Sequence, residues 1–223
     1  MFLFESKIPK LPDLESITTS SGRVYLTPEG NKYTSVTTFL NSLSEPYIEK
    51  WKKEVGEKYA EEVSNRARWR GTRYHNMIEQ YLRCSDRTHV LKSCQLPMKE
   101  MFLDSEKTIN RINNIHFIEQ ALYSDKLRLA GRTDVIGEFD GKLSIIDFKT
   151  STREKYESEI ENYFLQATTY AMMYEEVSFW KIKQIVIIML SDDNPKPFVF
   201  IKNPNQFHNL LLDKIEKFHT TKR

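Results

Sequence analysis

The sequence predicts an α/β fold in which a mixed β-sheet is flanked by helices and preceded by a helical N-terminal region. Apolar and polar residues alternate over 129–150, as is typical of two half-buried strands. A continuous apolar run over 184–190 is typical of a strand buried on both faces. Apolar residues recur at helical spacing before residue 113 and after residue 159, so we expect helices on either side of the sheet.

The first 40 residues predict short strands ahead of the first helix. Residues 1–22 are expected to be irregular, and residues 24–26 and 32–33 are expected to form strands around a Pro28-Glu29-Gly30 turn. Serine and threonine side chains over 35–38 are suited to cap a helix, because their oxygens accept hydrogen bonds from the free N–H groups of a first turn.

Further helices are predicted between the first helix and the sheet. Helical periodicity extends over 48–70, and we expect Gly71 to end that helix, because glycine costs about 1 kcal/mol relative to alanine in a helix interior. Thr72 is then expected to cap a second helix. Pro97 suits the first turn of another helix, where a missing N–H donor costs nothing.

The spacing of apolar residues changes from 3.6 to 2 after Asn114, which indicates the start of the sheet. Pro204 suits the first turn of a closing helix. In chain order we expect strands over 116–123, 128–139 and 142–150, a helix over 159–176, strands over 184–190 and 198–201, and the closing helix.

Length and composition are those of one globular domain. We expect a single domain over 1–223, with a mainly helical part over 1–113, the sheet and its helix over 114–203, and the closing helix over 204–223. The net charge is only +2, so any surface for nucleic acid must be a local basic cluster rather than a property of the whole chain.

Cysteine content and apolar runs bear on cofactors and compartment. The two cysteines, Cys84 and Cys94, fit neither a zinc ribbon nor a redox pair, and they cannot supply the four usual ligands of an iron–sulfur cluster. No apolar run approaches the roughly 18 residues of a membrane span. Acidic residues at Glu5, Asp13 and Glu15 argue against a transit peptide. We therefore expect a cytoplasmic protein without membrane contact or an iron–sulfur cluster.

The hairpin over 129–150 carries the chemistry on which the functional prediction depends. Asp140-Gly141 between apolar runs predicts a two-residue turn, and the register then places Asp134 opposite Asp147. Two carboxylates at this spacing repel each other, and a hard divalent cation offsets the repulsion. Lys149 lies two residues beyond Asp147, so the pleat directs both side chains to the same face. The pattern predicts a metal-dependent phosphodiesterase site; the alternative is a hairpin with solvated charges.

Three side chains outside the hairpin, His75, Glu79 and Glu119, are candidates for the same site. His75 and Glu79 lie four residues apart and share a helical face, from which the histidine is able to reach a metal. The alternative is a partly buried histidine hydrogen-bonded to Glu79. Glu119, in the strand before the hairpin, is a further candidate near the metal.

Two groups of residues are candidates for contact with nucleic acid. Gln166 and Tyr170 lie four apart in the helix after the hairpin, where they are able to bond a phosphate or stack on a base; a packing face is the alternative. The second group is a basic cluster, whose alternative is a solvated face paired with nearby glutamates. It comprises Arg66, Arg70 and Arg73 on one helical face, with Trp69 as a stacking platform.

Four motifs occur in the order GTRYHNMIE, AGRTDVI, IIDFKT and QATTY. In this order and spacing the chain resembles the RecB-like branch of the PD-(D/E)XK nuclease superfamily. The earlier segments YTSVTTFL and WKKEVGEKYAEEVSNRARWRGT are similar to the group of mitochondrial genome maintenance exonucleases and their bacteriophage relatives. The resemblance spans roughly residues 33–175 and implies a restriction-endonuclease-like core.

The resemblance implies a role for each matched position. It makes Asp134 and Asp147 metal-binding acids, joined by His75 and by the backbone carbonyl of Phe148, and makes Lys149 the catalytic lysine. It makes Gln166 and Tyr170 a pair that contacts DNA near the scissile phosphate, and it matches Glu119 to an acidic position of relatives. The implied cofactor is Mg²⁺ or Mn²⁺, and the implied partner is single-stranded DNA or duplex ends.

Motifs and resemblance together predict a Mg²⁺-dependent DNA exonuclease of replication, recombination or repair. A bacteriophage origin would place it in the host cytoplasm. A structure-specific endonuclease of the same fold, or a catalytically silent DNA-binding protein, are the alternatives. The retained acid, acid and lysine set argues against the silent protein, because like charges in opposition have no structural use.

Overall fold

The computed structural model describes residues 2–83 and 86–221 as an eight-stranded mixed sheet with helices on both faces, which confirms the predicted fold class. Cys84 lies outside the described residues. The strands are β1 (Glu15–Thr19), β2 (Gly22–Leu26), β3 (Lys32–Ser35), β4 (Ile112–Ser124), β5 (Leu129–Phe139), β6 (Lys142–Ser151), β7 (Gln184–Ser191) and β8 (Asn194–Lys202). The helices are α1 (Val36–Val55), α2 (Glu57–Leu82), α3 (Arg87–Ser93), α4 (Leu96–Ile109), α5 (Glu161–Val177) and α6 (His208–Thr221).

The sheet joins the N-terminal strands to the C-terminal ones. Its strand order is β1-β2-β3-β5-β6-β7-β8, and β4 pairs with β5 outside this path. Parallel pairing links β3 to β5 and β6 to β7, and the remaining pairs are antiparallel. None of the helices within the described residues has the length and hydrophobicity needed to cross a lipid bilayer.

The two larger hydrophobic cores of the described residues hold the layers together, one on each face of the sheet. On one face, Ile145 of β6 and Ile187 of β7 belong to a core shared with α1, α5 and α6. On the other face, Ile146 and Ile188 belong to a core shared with α2, α3 and α4. Neighbouring strand residues therefore serve opposite cores, which explains why β7 is buried along its whole length.

The predicted break in the helical region was wrong. The chain breaks at Gly56, where φ is 88°, and α2 then runs through Gly71 and Thr72 without interruption. Gly56 adopts a left-handed conformation that disfavours residues with a Cβ, whereas Gly71 is an ordinary helical residue. Ser35 caps α1 as expected, and its side chain accepts a hydrogen bond from the Thr38 N–H.

The irregular lead-in predicted over 1–22 contains a strand. Residues 15–19 form β1 at the edge of the sheet, paired antiparallel with β2. All five side chains of β1 are exposed, so the segment lacks the alternation of apolar and polar residues that would predict a strand.

The β5–β6 hairpin has the predicted turn and register. Asp140 and Gly141 have φ values of 52° and 73°, and pairing runs from Phe139–Lys142 to Val135–Ile146. Beyond Ile146 the two strands separate, because β6 continues alongside β7 while the start of β5 pairs with β3. This separation, called the fork below, begins at the residue after Ile146, and it places Asp134 and Asp147 at its origin.

Replacement of Gly141 by valine tests the turn. An added Cβ there meets no atom within 4 Å, so the cost comes from the positive φ alone and is about 1–2 kcal/mol. Urea unfolding should show a lower midpoint at unchanged slope. Lys142→Val, at the exposed neighbouring position, is the control and should leave the midpoint nearly unchanged. Equal midpoints for Gly141→Val and the unmodified chain would contradict this account of the turn.

Candidate active site

The fork leaves the backbone of Phe148 without a β5 partner, and two side chains replace that strand. The Phe148 N–H donates to the Asp134 Oδ2 at 2.8 Å. The Phe148 carbonyl is 2.8 Å from the Nε2 of His75, which reaches across from α2. The Nδ1 of the same imidazole lies 3.4 Å from the Asp134 Oδ2. One carboxylate and one imidazole thus close the opening between the two strands.

The sequence left open a hydrogen bond between His75 and Glu79, and the structure places both groups elsewhere. The Glu79 carboxylate pairs with the Arg83 guanidinium at 2.9 Å. Burial disfavours the imidazolium form of His75, but the charge of Asp134 prevails and raises the pKa of His75 to about 9. The imidazole is therefore protonated at neutral pH, and it must lose that proton before it ligates a cation.

The second acid of the fork is paired with the lysine. The Asp147 Oδ2 lies 2.5 Å from the Lys149 Nζ, and the Asp147 side chain is only 2% exposed. Burial raises the pKa of Asp147 to about 6 against the opposing charge of Lys149. Burial also disfavours the ammonium of Lys149, but Asp147 and Asp134 together raise its pKa above the ordinary value.

Three side chains at the fork are placed to share a metal ion. Donor atoms of His75, Glu119 and Asp134 all lie within 4.8 Å of one another. They surround a cavity of about 10 Å³, which Glu79 and Phe148 also line. Two carboxylates and an imidazole suit a hard or borderline divalent cation, so the residues present fit the expected metal.

The sequence predicted that Asp134 and Asp147 hold one ion together. In the structure the donor atom of Asp134 lies beside those of Glu119 and His75, and the Asp147 carboxylate contacts Lys149. Burial, and then the charge of Asp134, raise the pKa of Glu119 to about 7. The fork therefore concentrates more negative charge than its own cations balance, which favours a bound cation.

The Gln166 and Tyr170 pair lies on the α5 side of the fork. The Tyr170 side chain is only 2% exposed, so its ring is not available to stack on a base in this conformation. A Cβ built at Gly131 would lie 2.8 Å from the Tyr170 hydroxyl, so glycine at this position lets the ring approach β5. Gln166 is half-buried one helical turn earlier. In this structure the ring of Tyr170 therefore belongs to a packing face, which was the alternative to contact with nucleic acid.

The basic cluster on α2 borders a groove of about 720 Å³ beside α4 and the end of β7. The Arg73 guanidinium lies 4.2 Å from the ring centroid of Trp69, which is 46% exposed. Arg66 is exposed, whereas Arg70 is mostly buried and pairs with Asp192 at 2.5 Å. Glu100 and Asp104 line the groove as well, so it carries both signs of charge.

Comparison with known proteins identifies a matching family and two similar proteins. The family model of the PD-(D/E)XK nuclease superfamily matches residues 46–218, which is more than half of the chain. Mitochondrial genome maintenance exonuclease 1 of Mus musculus is 26% identical over 144 residues, or 61% of this chain and 42% of that protein. The Homo sapiens protein of the same name is 25% identical over 188 residues, or 79% of this chain and 54% of that protein.

The chain thus spans about half the length of the curated relatives that it matches. Among solved structures, the crystal structure of SSO0001 aligns with 84% of this chain and 74% of that chain. The sequence identity is 13% and the TM-score is 0.37.

Replacement of Glu119 by glutamine tests the charge imbalance in metal-free protein. The carboxyl pKa is 4.5 when unperturbed and about 7 in the fold, so the folded chain binds more protons and loses stability as the pH rises from 4.5 to 7. The amide removes this penalty. In EDTA, we expect Glu119→Gln to be more stable than the unmodified chain by about 2 kcal/mol at pH 8, after allowance for partial exposure, and to match it near pH 4.

Urea unfolding at several pH values measures this difference. Glu216→Gln, at an exposed position on α6, is the control and should change the stability at pH 8 far less than Glu119→Gln does. A Glu119→Gln difference that is the same at pH 4 and at pH 8 would show that the carboxylate carries no penalty in the fold.

Proposed function

The chain belongs to the PD-(D/E)XK nuclease superfamily, and from this premise we propose that it is a Mg²⁺- or Mn²⁺-dependent deoxyribonuclease that degrades DNA from ends. Membership makes it a nuclease, and nucleases of this superfamily use divalent metals. The observation that carries the proposal is the fork, where His75, Glu119 and Asp134 surround one small cavity beside the Asp147–Lys149 pair.

We assign the roles as follows. Asp134, Glu119 and His75 hold the ion, and the Phe148 carbonyl lies within reach because it already contacts His75. Asp147 holds the ammonium of Lys149 and adds negative charge next to Asp134. A divalent ion bound there supplies neutralisation of the phosphate charge and a coordinated water of lowered pKa.

Lys149 acts through its charge. Its pKa is raised, chiefly by Asp147 against the effect of burial, so the ammonium form dominates at neutral pH. The ammonium donates hydrogen bonds to the attacking water or to the phosphate oxygens, and it stabilises the negative charge that develops at phosphorus.

The groove on α2 is the proposed path of the DNA strand. Trp69 lies six residues before His75 on the same helix, which is about 9 Å along the helix axis. The exposed ring with Arg73 on it offers a stacking platform for a base, and Arg66 offers a phosphate contact. Arg70, paired with Asp192, positions the end of β7. We propose that Gln166 lies along the same strand near the scissile phosphate.

The preference for DNA ends is supported by the exonuclease relatives, which are similar over most of this chain. An endonuclease of the same core remains the second candidate. A linear and a covalently closed single strand of the same sequence distinguish them: degradation of the linear strand alone supports the exonuclease, and cleavage of the circle supports the endonuclease. Substrates labelled at either terminus then give the polarity. We further propose a role in DNA replication, recombination or repair in the cytoplasm.

Replacement of Lys149 by methionine should lower the rate of DNA cleavage by about 10²–10³-fold, because one charged donor at the phosphate is lost. The measurement is turnover of a labelled oligonucleotide with Mg²⁺ or Mn²⁺. Lys155→Met is a matched control, since the Lys155 Nζ lies 5.3 Å and the Lys149 Nζ 5.1 Å from the ring centroid of Tyr163. Undiminished turnover in Lys149→Met would reject the assigned role.

Metal addition should stabilise the fold. At a Mn²⁺ concentration of about 100 times Kd the gain is about 2.7 kcal/mol, or a rise in Tm of about 5–10 °C for a chain of this size. EDTA should abolish the rise, and Asp134→Asn should remove most of it. Asp213→Asn, which changes an exposed carboxylate on α6, should keep it. A full rise in Asp134→Asn would place the ion elsewhere.

A further inference from the structure

Glu119 has a backbone conformation that is unusual inside a strand. Its φ is 54°, although its neighbours Ile118 and Gln120 pair normally with Val135 and Thr133 of β5. Residues with a Cβ rarely adopt this left-handed region, and such conformations persist only where the surrounding structure holds them. The conformation determines where the Glu119 carboxylate points, which is into the cluster with His75 and Asp134.

Two guanidinium groups hold the backbone at this point. Arg132 donates to the carbonyl of Glu119, and the Arg83 Nη2 donates to the carbonyl of Ile118 at 3.1 Å. These are successive carbonyls, one in the peptide that precedes the strained residue and one in the peptide that follows it. Two strands and one helix end therefore meet at the two peptides of β4 that flank Glu119.

Each arginine is itself fixed by a carboxylate. The Arg132 Nη2 lies 2.9 Å from the Asp13 Oδ1, and the Arg83 Nε lies 2.9 Å from the Glu79 Oε1. The side chains of Arg132 and Arg83 are 38% and 51% exposed, so packing in a core does not explain their placement. Their shared feature is the pair of carbonyls that they bind.

We propose that Arg132 and Arg83 are positioning residues of the metal centre, which hold the carbonyls of residues 118 and 119 so that the Glu119 carboxylate stays within reach of Asp134 and His75. Neither guanidinium is a ligand, and neither contacts the substrate in this role. The inference rests on the proposed metal site.

The charge of the two guanidinium groups and their positioning role have opposite effects on the affinity of the site for a metal ion. A guanidinium near a metal site repels the cation, so removal of its charge would strengthen binding. Loss of a positioning group weakens binding, because the ligand that it oriented becomes free to leave the site. Groups that orient metal ligands typically contribute about 10–100-fold to affinity.

The experiment measures the Kd of Mn²⁺ for EDTA-stripped protein from the EPR signal of the free ion, a readout that needs no DNA and no turnover. We expect Arg132→Ala to weaken Mn²⁺ binding about 10-fold or more. In the Glu119→Gln background, where there is no carboxylate to position, the same change should leave Kd unaltered within about 2-fold. Arg132→Lys, which keeps one donor, should restore part of the affinity.

Lys126→Ala is the control, because it removes one exposed positive charge from the turn of the same β4–β5 hairpin. Lys126→Ala should leave the Kd of Mn²⁺ unchanged or lower it slightly, because removal of a positive charge favours cation binding. If Arg132→Ala does not fold, Arg83→Ala measured in the same way decides, with the same expected direction.

Three outcomes contradict the proposal. An unchanged or tighter Kd in Arg132→Ala, with normal binding by the unmodified chain, overturns the inference and leaves the proposed metal site intact. An equal weakening in the Glu119→Gln background overturns it as well, because the arginine would then act on another group. No Mn²⁺ binding by the unmodified chain overturns the proposed site and the inference together.

Discussion

The candidate site depends on the way in which one residue, Phe148, satisfies its backbone. Where β5 and β6 separate, its N–H and carbonyl face a gap, and an unpaired buried peptide group is costly. The Asp134 carboxylate and the His75 imidazole fill that gap. Each of the two side chains is thereby fixed by a hydrogen bond that belongs to the fold, so the acid and the imidazole are oriented before any ligand arrives.

This arrangement places several like charges close together in a buried region, which is unfavourable for folding. Asp134, Asp147 and Glu119 lie close together in partly or fully buried positions, and His75 and Lys149 lie among them with opposite charge. The favourable free energy of packing in the two hydrophobic cores, one on each side of the sheet, offsets the repulsion between these charges. Removal of the Glu119 charge is expected to stabilise the fold and to weaken the metal site, which is the usual relation between stability and function at an active site.

The sequence predicted the hairpin well, because a two-residue turn leaves only one register and the register locates both acids. The sequence predicted the boundary between the first two helices less well, because it placed the break at the wrong glycine. Gly56 and Gly71 are the same residue type, and only the backbone path distinguishes a left-handed break from an ordinary helical position. The place of Glu119 was not predictable with the same precision, since β4 has a register shift and a positive φ that no local pattern indicates. The burial of Tyr170 likewise depends on a distant glycine in β5.

The contact between Gly131 and the Tyr170 ring has a consequence for how sequences of this kind vary. The ring occupies the volume that any side chain at position 131 would need, and the two residues come from segments that are far apart in the chain. A larger residue at one position is tolerated only with a smaller one at the other. The strand motif and the helix motif are therefore not independent signatures, and an alignment of relatives should show the two columns changing as a pair.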